Sequence, residues 1–183
     1  MNDASPRKRI VLLGSTGSIG RSTLDVVRHY PERFDVVALT ANANADLLAE
    51  QVGEFHPEYV AMANPSAAER LRVACPGVRV GAGPESIEAA AAAEADVVLC
   101  AIVGAAGLPP LLAAIDRGTR VAVANKEPLV MAGALVMERA AARGGEILPV
   151  DSEHNAIFQC MHGHEAGAVS RIHLTASGGP FYG

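Results

Sequence analysis

A doubly wound parallel α/β sheet, followed by the opening of a second, α+β domain, is the fold this sequence predicts. Three observations carry that prediction. Short β-branched runs alternate along the chain with longer alanine- and leucine-rich segments. The runs show little alternation of apolar and polar residues, as strands do when helices cover both faces of their sheet. A glycine-rich segment, Gly14-Ser15-Thr16-Gly17-Ser18-Ile19-Gly20, separates the first such run from the first helix-forming stretch. The first domain, Rossmann-like, is expected over residues 1–150, and the start of the second over residues 151–183.

The elements follow in order. Arg9-Ile10-Val11-Leu12-Leu13 is a strand of the buried type, and a helix then runs to about His29. Val36 to Thr40 is the second strand and Asp46 to Phe55 the second helix. Tyr59 to Met62 is a strand, succeeded by a helix from Ser66 to Val73 and another from Glu85 to Ala93. Val97 to Ala101 is a strand, Leu108 to Arg117 a helix, and Val121 to Ala124 a strand. A helix from Leu129 to Arg143 leads to a last strand of this domain, Ile147 to Val150. Beyond it the pattern changes. Val169-Ser170-Arg171-Ile172-His173-Leu174-Thr175 alternates like a strand with one exposed face, and the chain continues into the turn sequence Gly178-Gly179-Pro180.

Half of the residues are hydrophobic and 19% are charged, which supplies a core and argues against disorder. The net charge of -5 argues against nucleic acid or an anionic membrane as partner, because both are bound by clustered Lys and Arg. The basic cluster Arg7-Lys8-Arg9 leads straight into a strand and reads as a solvated flank. No run approaches the length of a membrane span, and the start of the chain is polar, so a cytoplasmic location is expected. Cys75, Cys100 and Cys160 are odd in number and scattered, a usage that suits reduced thiols; Cys100, ending an apolar run, reads as a small buried hydrophobe.

The glycine-rich turn after the first strand is a candidate phosphate cradle. Glycines permit a tight turn and close backbone approach, and the helix N-terminus offers free N–H groups to a pyrophosphate. The segment departs from G-x-G-x-x-G, since Ser15 stands where that pattern has glycine. An acid at the tip of the second strand would pair with the ribose of NAD, but the tip reads Thr40-Ala41-Asn42-Ala43-Asn44. That absence favours NADP, although no neighbouring Arg or Lys in the sequence clamps a 2′-phosphate; Asn42 and Asn44 can donate hydrogen bonds instead.

Two later segments carry candidate chemistry. Asn125-Lys126-Glu127 follows a strand at the carboxyl end, where doubly wound sheets place their ligands. Lys126 can hold a substrate oxyanion, or the segment can be helix punctuation, with Asn125 as cap and Pro128 in the first turn. In Asp151-Ser152-Glu153-His154-Asn155, two carboxylates stand two residues apart. On extended backbone both would point to one face and could hold a divalent cation; alternatively Asp151 or Ser152 caps the helix suggested by Ala156-Ile157-Phe158. His154 is placed to support the carboxylates from behind. Cys160, His162 and His164 have a spacing that suggests zinc, but their glycine-containing surroundings favour exposed histidines.

Taken together, Gly14 to Gly20, Ser22-Thr23-Leu24-Asp25-Val26-Val27, Ala101-Ile102-Val103-Gly104, Asn125-Lys126-Glu127, Val150 to Phe158 and Ser177-Gly178-Gly179-Pro180-Phe181 resemble the 1-deoxy-D-xylulose 5-phosphate reductoisomerase family. The resemblance runs from about Arg9 to the end of the chain. It implies an NADPH-dependent and Mn²⁺- or Mg²⁺-dependent rearrangement and reduction of 1-deoxy-D-xylulose 5-phosphate to 2-C-methyl-D-erythritol 4-phosphate, a step of non-mevalonate isoprenoid synthesis. It further implies that Thr16, Gly17, Ser18 and Ile19 cradle the NADPH phosphates and that Asn42, Ala43 and Asn44 lie by the adenosine ribose. Asn125 and Glu127 would touch cofactor, Asp151 and Glu153 would ligate the metal, and Lys126, Ser152, Glu153 and Ser177 would contact the phosphorylated sugar. Lys126 and Glu153 are the residues expected to act in catalysis, and the full-length protein is expected to be a homodimer. Members of that family are longer, and their further part carries another metal-ligating glutamate and the pocket for the substrate phosphate. A chain complete at Gly183 is therefore expected to bind cofactor but to turn over poorly, or to serve as a non-catalytic NADP-binding or dimerisation module. Ala43 stands where many relatives carry a basic residue, and Pro128 where they carry a small one.

Overall fold

Successive residues of the first strand face opposite ways, and both ways are apolar. In the computed structural model, which describes residues 6–174, Val11 and Leu13 enter one core while Ile10 and Leu12 enter another. Such a strand needs a helical layer on each side, and seven strands among the described residues form one parallel sheet with that arrangement. They are β1 (Lys8–Leu13), β2 (Phe34–Ala41), β3 (Tyr59–Met62), β4 (Arg79–Ala82), β5 (Val97–Cys100), β6 (Arg120–Val123) and β7 (Ile147–Pro149), in the spatial order β4-β3-β2-β1-β5-β6-β7.

The helices α1 (Ser18–His29), α2 (Ala45–Phe55) and α3 (Pro65–Ala74) cover one face through Leu24, Leu48 and Leu71. On the other face, α4 (Pro84–Ala91), α5 (Leu108–Asp116) and α6 (Glu127–Arg143) bring in Ile87, Leu111, Ile115 and Val136. Leu12 and Leu13 are both wholly buried, and burial of each contributes roughly 1.5–3 kcal/mol. A last helix, α7 (Ser152–Met161), follows β7 and buries none of its residues. None of the described helices is long and apolar enough to cross a membrane.

The chain builds outward from β1 to β4, then returns to the opposite side of β1 to lay down β5. The order of strands reverses there, so the loops leaving β1 and β5 diverge and open a crevice at the carboxyl ends of the strands.

Two expectations differ from the structure. The strand β4 was not expected, because Arg79-Val80-Gly81-Ala82 has one β-branched residue and pairs with β3 alone, at the edge. Conversely, the described part of the strand expected over residues 169–175, namely residues 169–174, is not strand. Alternation makes a face for a sheet, but a strand exists only with a neighbour to bond.

Cys100 is 2% exposed, and burial pushes its thiol up to about 11. It therefore stays protonated and unreactive at neutral pH. Brief alkylation of the native chain with iodoacetamide is expected to label exposed Cys160 first, half-buried Cys75 more slowly, and Cys100 only after denaturation. Mass spectrometry of the digested protein checks the order; early labelling of Cys100 would mean that β5 opens readily.

Candidate cofactor and metal site

The loop after β1 is held from behind. Gly14 has φ 84°, and a Cβ there would lie 2.8 Å from the Ala101 carbonyl oxygen, so the position excludes other residues twice over. The backbone N–H groups of Gly14 and Ser15 both donate to the carbonyl of Thr40, at 3.1 and 2.8 Å. The Ser15 hydroxyl, wholly buried, donates to Gln51 Oε1 at 2.7 Å, and Gln51 Nε2 donates back to the Ser15 carbonyl at 3.1 Å. Ser15, where the usual pattern has glycine, thus points into the protein and ties the loop to α2. Gly20 completes the packing, since a Cβ on it would sit 2.4 Å from the Gly14 carbonyl oxygen.

Gly17 is different. It is exposed, has the ordinary φ of -75°, and a Cβ on it would meet only the Gly14 oxygen, at 3.4 Å. Nothing among the described residues requires glycine there, whereas a ligand approaching the backbone would. Gly17 also begins α1 with no side-chain cap and no acid in the first turn. By contrast Asn44, Asn64 and Asp151 cap α2, α3 and α7 with their side chains. The N–H groups of Ser18 and Ile19 are left for an anion, and the helix dipole favours one.

Beside this loop a cavity of about 470 Å³ occupies the crevice. Thr16, Gly17 and Asn42 line it together with the apolar Ile87, Ile102 and Val103. That volume is typical of a small-molecule site. Ser18, Ile19, Ala43 and Asn44 do not line it directly. At the tip of β2, Asn42 to Asn44 are exposed, and the Asn44 side-chain oxygen accepts from Leu47 N at 3.2 Å, which leaves its NH₂ free to donate. No Arg or Lys stands beside this tip in the sequence, but the fold brings one from α3: Arg70 donates from Nη2 to the Ala43 carbonyl at 3.3 Å.

The ends of β6 and β7 lie side by side, because the Val150 N–H donates to the Val123 carbonyl at 2.9 Å. This register brings the Asn125-Lys126-Glu127 segment to Asp151-Ser152-Glu153. Lys126 Nζ is 3.7 Å from Glu153 Oε2, and the Ser152 hydroxyl donates to the same oxygen at 3.0 Å. The backbone N–H of Glu153, that hydroxyl and the Lys126 ammonium hold the Glu153 carboxyl below the usual carboxylate range.

The helix-punctuation reading is right in part and wrong in one residue. Glu127 and Pro128 do open α6, but the position before them is taken by Lys126, not Asn125. Among the described residues the buried Asn125 Nδ2 atom has no hydrogen-bond partner, an arrangement that asks for a further acceptor.

Of the two backbones open to Asp151 and Glu153, the structure takes the helix-capping one and not extended backbone for both. Asp151 is extended and caps α7, accepting from His154 N at 3.3 Å, while Glu153 sits in the first helical turn. The His154 ring nitrogen Nδ1 lies 2.5 Å from Asp151 Oδ2, so His154 does support this carboxylate. The donor set is two hard carboxylates, and among the described residues no group of three His, Cys, Asp or Glu is gathered. A cation here would take its remaining ligands from elsewhere. Cys160, His162 and His164 form no metal-binding group either. Ser177 lies outside the described residues.

Gln51 was missed in the sequence although a signal exists. It falls on the apolar stripe Ala45, Leu48, Val52 of α2, where a polar residue implies a buried partner. Arg70 had no such signal, because 27 residues separate it from Ala43.

Residues 10–133 match a family profile described as 1-deoxy-D-xylulose 5-phosphate reductoisomerase. The chain belongs to that family. Residues 147–183 match the profile of the C-terminal domain of 1-deoxy-D-xylulose 5-phosphate reductoisomerase. The reductoisomerase of Geotalea uraniireducens is 52% identical over 178 residues, covering 96% of this chain and 46% of its own length. The chain thus spans about half the length of the reductoisomerases it matches. Among solved structures, the Zymomonas mobilis reductoisomerase in complex with NADPH superposes with a TM-score of 0.82 at 44% identity, over 85% of this chain and 41% of that one. A reductoisomerase in complex with NADPH, fosmidomycin and magnesium gives 0.81 at 43% identity, over 84% of this chain and 38% of that one.

Proposed function

We propose that this chain provides the NADPH-binding part, and the beginning of the metal- and substrate-binding part, of a 1-deoxy-D-xylulose 5-phosphate reductoisomerase. The domains would be residues 1–150 and residues 151–183. The single observation that carries the reading is the open N-terminus of α1: a helix start with free N–H groups, an exposed Gly17 that the fold does not need, and a cavity beside it. Relatives solved with NADPH and with magnesium support it.

The residues present suit both groups. Ser18 and Ile19 N–H would hold the pyrophosphate, and Asn42 and Asn44 would donate to the adenosine ribose. The orphan Asn125 Nδ2 would find its acceptor on the cofactor, with Glu127 alongside. Asp151 and Glu153 would hold Mn²⁺ or Mg²⁺. NADPH supplies hydride when bound, and the cation supplies electrophilic polarisation of substrate oxygens. The chain's own groups then do three things. Lys126, with its ammonium 3.7 Å from Glu153, sets a positive charge where substrate oxygens gain negative charge. Ser152 and Ser177 orient the sugar phosphate. His154 fixes the Asp151 carboxylate. The product would be 2-C-methyl-D-erythritol 4-phosphate, and the whole protein a cytoplasmic homodimer.

Titrating the chain with NADPH tests the reading. Nicotinamide emission, excited well above the absorption of the protein's aromatic side chains, can be followed directly. Saturable enhancement is the expected result; a flat titration, matched by no heat in calorimetry, would overturn the cofactor assignment.

A further inference from the structure

We infer that Arg70 is the residue that distinguishes NADPH from NADH in this chain, by binding the 2′-phosphate of the adenosine ribose. The inference rests on the reading of the crevice as a dinucleotide site. In a doubly wound fold the adenosine ribose lies at the tip of the second strand, where an acid selects NAD and a nearby Arg accommodates a 2′-phosphate. Here that tip is Thr40-Ala41-Asn42-Ala43-Asn44, with no acid and no cation of its own.

The cation arrives from the next unit. The loop after β3 is bonded to the loop after β2: Ala63 N–H donates to the Ala41 carbonyl and Asn64 N–H to the Asn42 carbonyl, each at 3.0 Å. These bonds fix α3, which starts at Pro65 with Asn64 as its cap, against the β2 tip. Arg70 then reaches back across the gap to the Ala43 carbonyl, at 3.3 Å. No other Lys or Arg side chain is hydrogen-bonded to residues 42–44 among the described residues.

Arg70 is also uncommitted electrostatically. Its neighbour Glu69 pairs with Arg72, at 2.6 Å, and Arg72 is turned to the Val80 carbonyl on β4. Arg70 takes part in no ion pair among the described residues and is exposed. One bond to a neutral carbonyl uses one of the five N–H donors of a guanidinium, and the remaining fork matches phosphate geometry. With Asn42 exposed beside it and the Asn44 NH₂ free, the tip presents neutral donors and one full positive charge to a dianion.

The test uses two probes that differ only in the 2′-phosphate, adenosine 2′,5′-bisphosphate and 5′-AMP, alongside NADPH and NADH, each measured by calorimetry on the full chain. The parent chain is expected to bind the 2′-phosphorylated member of each pair more tightly. Arg70→Ala should weaken that member about tenfold and leave 5′-AMP and NADH unchanged, the usual size of a lost charge-assisted bond. Adding Ala43→Arg to Arg70→Ala should restore the preference, because it returns a guanidinium to the same tip. Retention of the preference in Arg70→Ala would overturn the inference, as would an equal loss for all four ligands, which would make Arg70 a strut for the loop. Equal binding of both members by the parent chain would overturn it too, while leaving the cofactor site standing. Failure of the parent chain to bind any of the four would instead bring down the cofactor reading itself, and this inference with it.

Discussion

Gly17→Ala is expected to raise the dissociation constant for NADPH by about 100-fold or more while lowering the melting temperature only slightly. The added methyl meets the Gly14 oxygen at 3.4 Å, an ordinary contact, and the φ of -75° suits any residue. Losing glycine at a helix N-cap costs on the order of 1 kcal/mol, or about 2–4 °C for a chain of this size. On the proposed reading, the same methyl would stand where the pyrophosphate approaches the backbone. Gly20→Ala should behave in the opposite manner. Its methyl would be 2.4 Å from the Gly14 oxygen and 2.6 Å from Ser15 Cα, both in a backbone pinned by Thr40 and Gln51. Overpacking of that kind costs about 1–3 kcal/mol or more, so stability and binding fall together. Thermal denaturation beside NADPH titration separates the two glycines. A large loss of stability in Gly17→Ala would show that its role is structural.

Asp151→Asn in the full-length protein is expected to reduce metal-dependent turnover by about 100-fold or more, with NADPH affinity and the start of α7 preserved. Asn caps a helix as well as Asp does, so the bond from His154 N survives while the carboxylate charge is lost. Asp151→Ala removes cap and charge together and serves as the contrast. Asp151 is not among the residues lining the cofactor cavity, which is why affinity for NADPH should hold. Turnover at the parent rate in Asp151→Asn would reduce this residue to a helix cap.

The doubly wound sheet was legible because its strands are apolar on both faces and its helices carry amphipathic stripes, signals that local sequence holds. The glycine-rich turn between β1 and α1 was legible for the same reason: its position after β1 and its glycine content are read along the chain. What escaped depends on distance or on company. Arg70 reaches Ala43 only because β2 and β3 are neighbours, and the β4 strand exists because an edge was available to pair with. The expected strand beyond residue 168 had the alternation but, through Leu174, no partner. For Asp151 and Glu153 the spacing was compatible with two backbones, and the capping bond to His154 N decided for the helix. Asp151 illustrates that a capping residue and a candidate ligand can be one carboxylate.

The Ser15–Gln51 bonds bear on how such a chain can change. A loop anchored to α2 and to Thr40 takes its shape when the protein folds, and ordering backbone at roughly 1–2 kcal/mol per residue is then no part of ligand binding. Substitutions inside the anchor disturb the buried Ser15–Gln51 bonds or the close packing of Gly14 and Gly20, and so alter the fold. Residues 42–44 and Arg70 are exposed and outside the anchor. At the proposed dinucleotide site, preference is therefore set by side chains that can be exchanged between neighbouring surface loops without disturbing the anchored turn beneath.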